Sequence, residues 1–298
     1  MKINKLILSG LMLAGQVLYG QGKLLPAFEM TSAYCDARKI SVWLPEGYPQ
    51  PGVKYAVLYM HDGQNLFDTA TAYGHKEWKV DETLSKLIAE GKIVPCIVVG
   101  IWNTPRRFLE YAPAGPFALM SAEARKEIVN APMFGGQPLS DGYLKFIVEE
   151  LKPWVDSHFQ VDSSPQATII AGSSMGGLIS LYALCDYPQV FGGAACISTH
   201  WPLRLQNNSP AFTKAMIEYL KPKIPLLQSH KVYFDYGTET LDALYEVHQL
   251  RLDSLFRAEK FPETQFRSLK FEGAAHNELS WAERFDIPAL FLLGKKEN

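Results

Sequence analysis

Short apolar runs alternate along the chain with segments of helical period. Residues 55–60, 93–101, 167–171, 193–198, 231–236 and 265–272 are dense in Val, Ile, Leu, Ala and aromatic side chains, as expected of strands buried on both faces. Between them, Val80, Leu84, Leu87 and Ile88 fall on one face of a helix over residues 78–89. The same spacing predicts helices over 142–158, 178–186, 210–220 and 243–260, and a helical region from Glu278 onward. Alternating segments around 28–34 and 39–44 flank an Asp36-Ala37 turn and predict an opening antiparallel hairpin. This rhythm predicts an α/β fold: a mostly parallel sheet with helices on both faces and ligands at the carboxyl ends of its strands. Residues 102–140 break the rhythm. Punctuated by Pro and Gly, with one short helix near 121–129, a connection this long in a compact domain is expected to be a lid or a substrate-binding wall.

The N-terminus reads differently. Lys2 and Lys5 precede an apolar run over residues 6–18 that gives way to Tyr19-Gly20-Gln21-Gly22. The run is shorter than the ~20 residues a spanning helix needs, and the small residues at 20 and 22 suit a signal peptidase. The expected organisation is a signal peptide, 1–22, followed by one α/β domain, 23–298. The protein would be secreted or periplasmic, with no stable membrane insertion after cleavage and its oligomeric state undefined. A formal net charge of −2 with interspersed signs gives no basic stripe, which argues against a nucleic-acid partner. Cys96 and Cys196 lie in strand-like runs and Cys185 on a helix, so buried free thiols are expected, with one disulfide open; none of the four cysteines, Cys35 included, shows metal-ligand spacing.

The chemistry concentrates where an apolar strand meets Gly172-Ser173-Ser174-Met175-Gly176-Gly177 and a helix follows at once. Gly-x-Ser-x-Gly between strand and helix places Ser174 on a sharp turn, its hydroxyl above the sheet edge at a helix N-terminus. A base should follow later in the chain. His276 lies after the last predicted strand in a loop of small residues, whereas His75, His158, His230 and His248 read as solvated. An orienting acid belongs after the strand at 231–236, where Asp242 and Glu239 both qualify; Asp242 could instead cap the helix starting at Ala243. Asp242 is preferred and Glu239 stays open. The turn His61-Asp62-Gly63-Gln64 after the first buried strand would supply half of an oxyanion hole, with backbone N–H groups of Gln64 and Met175 as donors. His61 and Asp62 are adjacent and diverge on a strand, which speaks against a metal pair.

These residues resemble the esterase family of the α/β-hydrolase fold that includes feruloyl and acetylxylan esterases, ferric-enterobactin-type siderophore esterases and mycolyltransferases. The resemblance runs from about Ile40 to Leu290 and rests on residues 61–67, on Arg107 with Glu110-Tyr111-Ala112-Pro113, on the elbow, and on His276-Asn277-Glu278 with Trp281. It implies Ser174 as nucleophile, His276 as base and the amides of Gln64 and Met175 as oxyanion donors. It places the acid near Thr240, between the two candidates. The expected protein is a serine esterase acting through an acyl-enzyme on a small-molecule or oligosaccharide ester, requiring neither metal nor organic cofactor. Arg107, Tyr111 and Trp201 are expected to shape its substrate pocket. Acyl groups of carbohydrate esters are the first expected substrate, a siderophore trilactone the alternative, and an inert hydrolase-fold binding protein the reading from another class.

Overall fold

The computed structural model describes Gly20, residues 22–204 and residues 208–295; the expected signal peptide therefore lies almost wholly outside the described residues. Among the described residues, nine strands form one sheet in the order β1-β3-β5-β4-β6-β7-β8-β9, with β2 also paired to β3. The opening strands β1 (Lys23–Leu24), β2 (Phe28–Met30) and β3 (Arg38–Leu44) are antiparallel, and β3 runs antiparallel to β5 (Cys96–Ile101). From β5 through β4 (Ala56–His61), β6 (Thr168–Ser173), β7 (Gly193–Ile197), β8 (Lys231–Glu239) and β9 (Phe266–Ala275), every pairing is parallel.

The continuous apolar runs follow from burial on both faces. Val57 and Tyr59 of β4 enter one apolar layer while Leu58 and Met60 enter the other, as the two-residue repeat of a strand requires. The first layer is closed by α7 (Met175–Asp186), α8 (Ala211–Leu220) and α9 (Glu246–Ala258), the second by α1 (Val80–Ala89) and α11 (Asp286–Leu293). Helix α7 is buried on nearly every side, so its sequence carries little polar contrast. The helix expected over 142–158 is α5 (Ser140–Lys145), a wider π-turn over Phe146–Leu151, and α6 (Lys152–His158). Pro153 at the start of α6 lacks the N–H that a regular α-turn would use there.

The stretch at 102–140 is more ordered than its sequence suggests. It holds three helices, α2 (Arg107–Tyr111), α3 (Ala114–Leu119) and α4 (Ala122–Val129), of which only the last was expected. Five- and six-residue helices span too few turns for a periodic pattern to register. The segment is a packed wall, with Tyr111, Phe117, Met120, Ile128 and Phe134 buried. It is tied to β3 by a buried ion pair between Arg38 Nη2 and Glu110 Oε1 at 2.7 Å. All four cysteines are free thiols, and Cys96, Cys185 and Cys196 are buried.

Candidate active site

At the end of β6 the chain turns into α7 through Ser174, whose φ of 58° and ψ of −121° lie where non-glycine residues are strained. Ser173 closes the strand opposite Ile197 and is buried, whereas Ser174 is partly exposed. The turn forms because Gly172 leaves room for the Gly176 backbone and the His61 ring to close on it. A Cβ on Gly172 would sit 3.0 Å from the backbone of Gly176 and from the ring of His61. The Ser174 N–H donates to Ile197 O (2.9 Å) and its carbonyl accepts from His200 N–H (3.1 Å), pinning the elbow to the neighbouring strand end.

His276 follows β9 directly. Its N–H donates to Thr240 Oγ1 (2.8 Å), and its Nδ1 lies 2.5 Å from Asp242 Oδ1. Asp242 is fully buried, and its other oxygen accepts from Gly237 N–H at 2.6 Å. Asp242 lies within a short 3-10 segment, Thr240–Leu244, and α9 starts at Glu246, so Asp242 is not the cap of a helix from Ala243. Glu239 is exposed at the end of β8. The imidazole is held edge-on between Trp281 (5.0 Å between centroids) and Tyr245 (5.6 Å). The Tyr245 hydroxyl in turn reaches the Ser174 side chain and bonds His200 Nδ1 at 2.7 Å. No direct hydrogen bond joins Ser174 to His276 in this resting arrangement; such bonds commonly tighten only when substrate is bound.

The opposite wall is the turn after β4. Asp62, at φ 56°, precedes the 3-10 turn Gly63–Asn65, and a Cβ on Gly63 would stand 2.4 Å from the carbonyl carbon of Gly100. Gln64 and Met175 each occupy the first turn of a helix, where N–H groups have no acceptor within that helix. The turn is braced by Arg107, whose Nε and Nη2 donate to the two Asp62 oxygens at 2.7 Å each, and by Asn103 Nδ2 at 2.6 Å. Burial alone would push the Asp62 carboxyl up, but Arg107 and Asn103 outweigh it and hold it below the usual range. His61 Nδ1 bonds the Tyr143 hydroxyl (2.7 Å), and burial pushes this imidazole down to about 3, so it stays neutral. His61 and Asp62 thus serve separate partners. Among the described residues no group of three or more His, Cys, Asp or Glu side chains could hold a metal ion.

Two of the residues expected in the substrate pocket do not reach it. Trp201 is fully buried, with its indole N–H on Gln249 Oε1 (3.2 Å) and its ring against Phe234. Tyr111 is fully buried between His61 and Tyr143, where its hydroxyl accepts from Asp62 N–H (3.3 Å). An aromatic ring in a loop is equally at home in the core, which is why the sequence misplaced both. Arg107 is partly exposed, yet its fork is spent on Asp62. A cleft of about 320 Å³, joined to the elbow through His200, is lined by Phe108, Met133, Phe134, His200, Leu203 and others, with the Arg204–Glu127 ion pair among its lining residues. A larger hollow of about 450 Å³ lies at the amino ends of the strands, around Lys54, Ala56 and Ile169, remote from Ser174.

Several site residues escaped the sequence reading. Ser198, His200, Asp235 and Arg284 sit buried around Ser174, Asp242 and His276, and His248, expected in solvent, is buried on Thr213 and Asn208. The available signal was Ser198-Thr199-His200, a polar triplet right after a buried strand on the edge where ligands bind.

Comparison with known proteins agrees with this architecture. The family model described as "Putative esterase" matches residues 31–287. The uncharacterized protein YbbA of Bacillus subtilis is 25% identical over 273 residues, covering 88% of this chain and 94% of the relative. The ferri-bacillibactin esterase BesA of the same organism is 28% identical over 159 residues, 51% of each chain. Among solved structures, a ferulic acid esterase superposes with a TM-score of 0.67 at 18% identity, covering 92% of this chain and 99% of that one. The chain therefore belongs to the family described as "Putative esterase" and is a carboxylic ester hydrolase on the α/β-hydrolase fold.

Proposed function

We propose that the protein is an exported serine esterase that removes acyl groups from carbohydrate esters through an acyl-enzyme. The observation that carries the mechanism is the 2.5 Å contact between His276 and the buried Asp242 beside the strained Ser174 elbow. Held with its Nδ1 proton toward Asp242, the imidazole presents Nε2 as a base. It takes the Ser174 proton as Oγ bonds to the ester carbonyl carbon, and the oxyanion forms against the N–H groups of Gln64 and Met175. His276 then gives that proton to the leaving alcohol as the C–O bond breaks. Water, deprotonated by the same imidazole, attacks the acyl-Ser174 carbonyl; the bond from the acyl carbon to Ser174 Oγ then breaks, His276 returns the proton to Oγ, and the acid leaves.

The substrate reading rests on the cleft and on the state of the arginines. Phe108, Met133, Phe134 and Leu203 offer an apolar slot suited to an uncharged acyl group. A triscatecholate iron complex is strongly anionic and would call for free cationic groups. Here Arg107 is paired with Asp62, Arg106 with Asp36 and Arg204 with Glu127. That favours the carbohydrate ester over the siderophore lactone, although relatives bearing both kinds of name occur: BesA on one side and the endo-1,4-beta-xylanase/feruloyl esterase of Xylanibacter ruminicola on the other. Export fits a substrate met outside the cytoplasm and rests on the charged and apolar pattern of residues 1–22.

The test is a parallel assay with acetylated and feruloylated xylo-oligosaccharides and with a triscatecholate trilactone, apo and iron-loaded. The reading predicts that kcat/KM for a xylo-oligosaccharide ester exceeds that for either lactone by tenfold or more. The reverse order would give the site to siderophores.

A further inference from the structure

Behind the Asp242–His276 pair lies a buried polar network that the mechanism above does not use. It joins Ser198 after β7, Asp235 on β8, and Trp281 and Arg284 in and after α10 (Glu278–Ala282). We propose that Ser198, Trp281 and Arg284 form a hydrogen-bond lock that fixes Asp242 as an acceptor and His276 in its base-competent tautomer. This inference rests on the triad reading of the preceding subsection.

Donor and acceptor capacities fix where the protons of this network must lie. A serine hydroxyl has one proton and two lone pairs, whereas an indole N–H and a guanidinium can only donate. Trp281 Nε1 and Arg284 Nη2 both lie 2.9 Å from Ser198 Oγ, so they occupy its two lone pairs. The one proton of Ser198 is left to point at Asp242 Oδ2, 2.5 Å away. That oxygen also receives Gly237 N–H at 2.6 Å. With Oδ2 taken by two donors, the remaining oxygen, Oδ1, faces Nδ1 of His276 as an acceptor, and the imidazole proton must sit on Nδ1.

The charges are arranged to match. Arg284 Nη2 pairs with Asp235 Oδ1 at 3.0 Å and stands 4.0 Å from Asp242 Oδ2, all three groups being almost wholly buried. Asp235 is further held by the Tyr233 hydroxyl (2.9 Å) and by Ser198 N–H (3.2 Å). With both carboxylates ionised and His276 neutral, the cluster carries one net negative charge, which the imidazolium formed during catalysis neutralises. Arg284 thus limits how strongly Asp242 attracts the His276 proton. The titratable groups facing His276 from the other side are Tyr245, His200 and Glu278, with Arg107 and Asp62 beyond them; Ser198 hydrogen-bonds Asp235, Asp242, Trp281 and Arg284 instead.

Ser198, Trp281 and Arg284 touch no substrate, so they are positioning residues. The test uses the whole protein and p-nitrophenyl acetate, with Ser198→Ala as the main variant and Trp281→Phe and Arg284→Lys beside it. Three quantities are read: kcat against KM, the acid limb of the kcat/KM–pH profile, and the downfield Nδ1–H proton resonance of His276 in 15N-labelled protein. Ser198→Ala should lower kcat about 10- to 100-fold with KM within threefold, move the acid limb to higher pH as Asp242 loses a donor, and shift the His276 resonance. Trp281→Phe frees one lone pair of Ser198 and should give smaller changes in the same directions. If Ser198→Ala does not fold, as thermal unfolding would show, Trp281→Phe and Arg284→Lys decide the matter. Folded variants with unaltered kcat, acid limb and resonance would overturn the lock. The resonance is read without turnover, so in a wild-type protein that hydrolyses no ester the preceding proposal fails while the resonance still decides for or against the lock.

Discussion

Asp242 and Glu239 are nearly equivalent in the sequence, two acids on one turn, and the structure separates them by burial and by the path of the chain. An irregular register between Gly237 and Glu239 and the left-handed Thr240 at φ 55° leave Glu239 outside and carry Asp242 inward beneath His276. None of this is local information, because the partners Ser198 and His276 follow the two strands that flank β8 and lie 44 and 34 residues away along the chain. Asp242→Asn should therefore lower kcat by about 10³- to 10⁴-fold with little loss of stability, since the amide admits the wrong imidazole tautomer. Glu239→Gln should leave kcat within twofold; equal losses in the two variants would remove Asp242 from the triad. A second consequence concerns His61 and His200, both pushed down to about 3 by burial. Their folded values lie below the ordinary 6.5, so between pH 6.5 and 3 the unfolded chain binds more protons. Stability is then lost as pH falls through that window, by about 1.4 kcal/mol per unit per histidine. Asp81, which burial pushes up to about 7, works in the opposite direction, so the clean readout is a difference. Urea unfolding at pH 7, 6 and 5 should show that His61→Gln flattens the slope by about one proton's worth; an unchanged slope would mean His61 is charged in the fold.

At the scale of elements, the strands and long helices were legible because strand alternation and helical period survive averaging over many residues. The short helices α2 and α3 were not, and the role of α2 depends on one ion pair that no periodicity announces. Arg107 opens α2 and clamps Asp62 at the turn after β4, with side-chain exposures of only 21% and 10%. Removing one partner of a largely buried pair leaves the other uncompensated. Arg107→Met should cost about 3 kcal/mol of unfolding free energy and reduce kcat for neutral and anionic esters alike. A stable variant that lost only anionic substrates would restore Arg107 to substrate binding. The glycine at 63 tests the same element sterically. A Cβ there would meet Gly100 backbone at 2.4 Å, so Gly63→Ala should displace the Gln64 amide and lower kcat about 100-fold, the scale of losing one oxyanion donor. Activity within threefold of wild type would move the oxyanion hole elsewhere.

The molecule as a whole places its chemistry where a parallel sheet dictates. Ser174 follows β6, Ser198 follows β7, Asp242 follows β8 and His276 follows β9, so four adjacent strands deliver the proposed nucleophile, lock, acid and base to one edge. That ordering let a candidate triad be drawn from one sequence, whereas the pocket lining could not be, because which aromatic rings stay buried is settled by packing among distant segments. The most direct measurement of the central claim is labelling with a fluorophosphonate probe followed by peptide mass spectrometry. Ser174 should carry the phosphonyl group in wild-type protein, in Ser173→Ala and, slowly, in Asp242→Asn, while Ser174→Ala folds normally and stays unlabelled. Folded wild-type protein that remains unlabelled, or a label found on Ser173, would contradict the account.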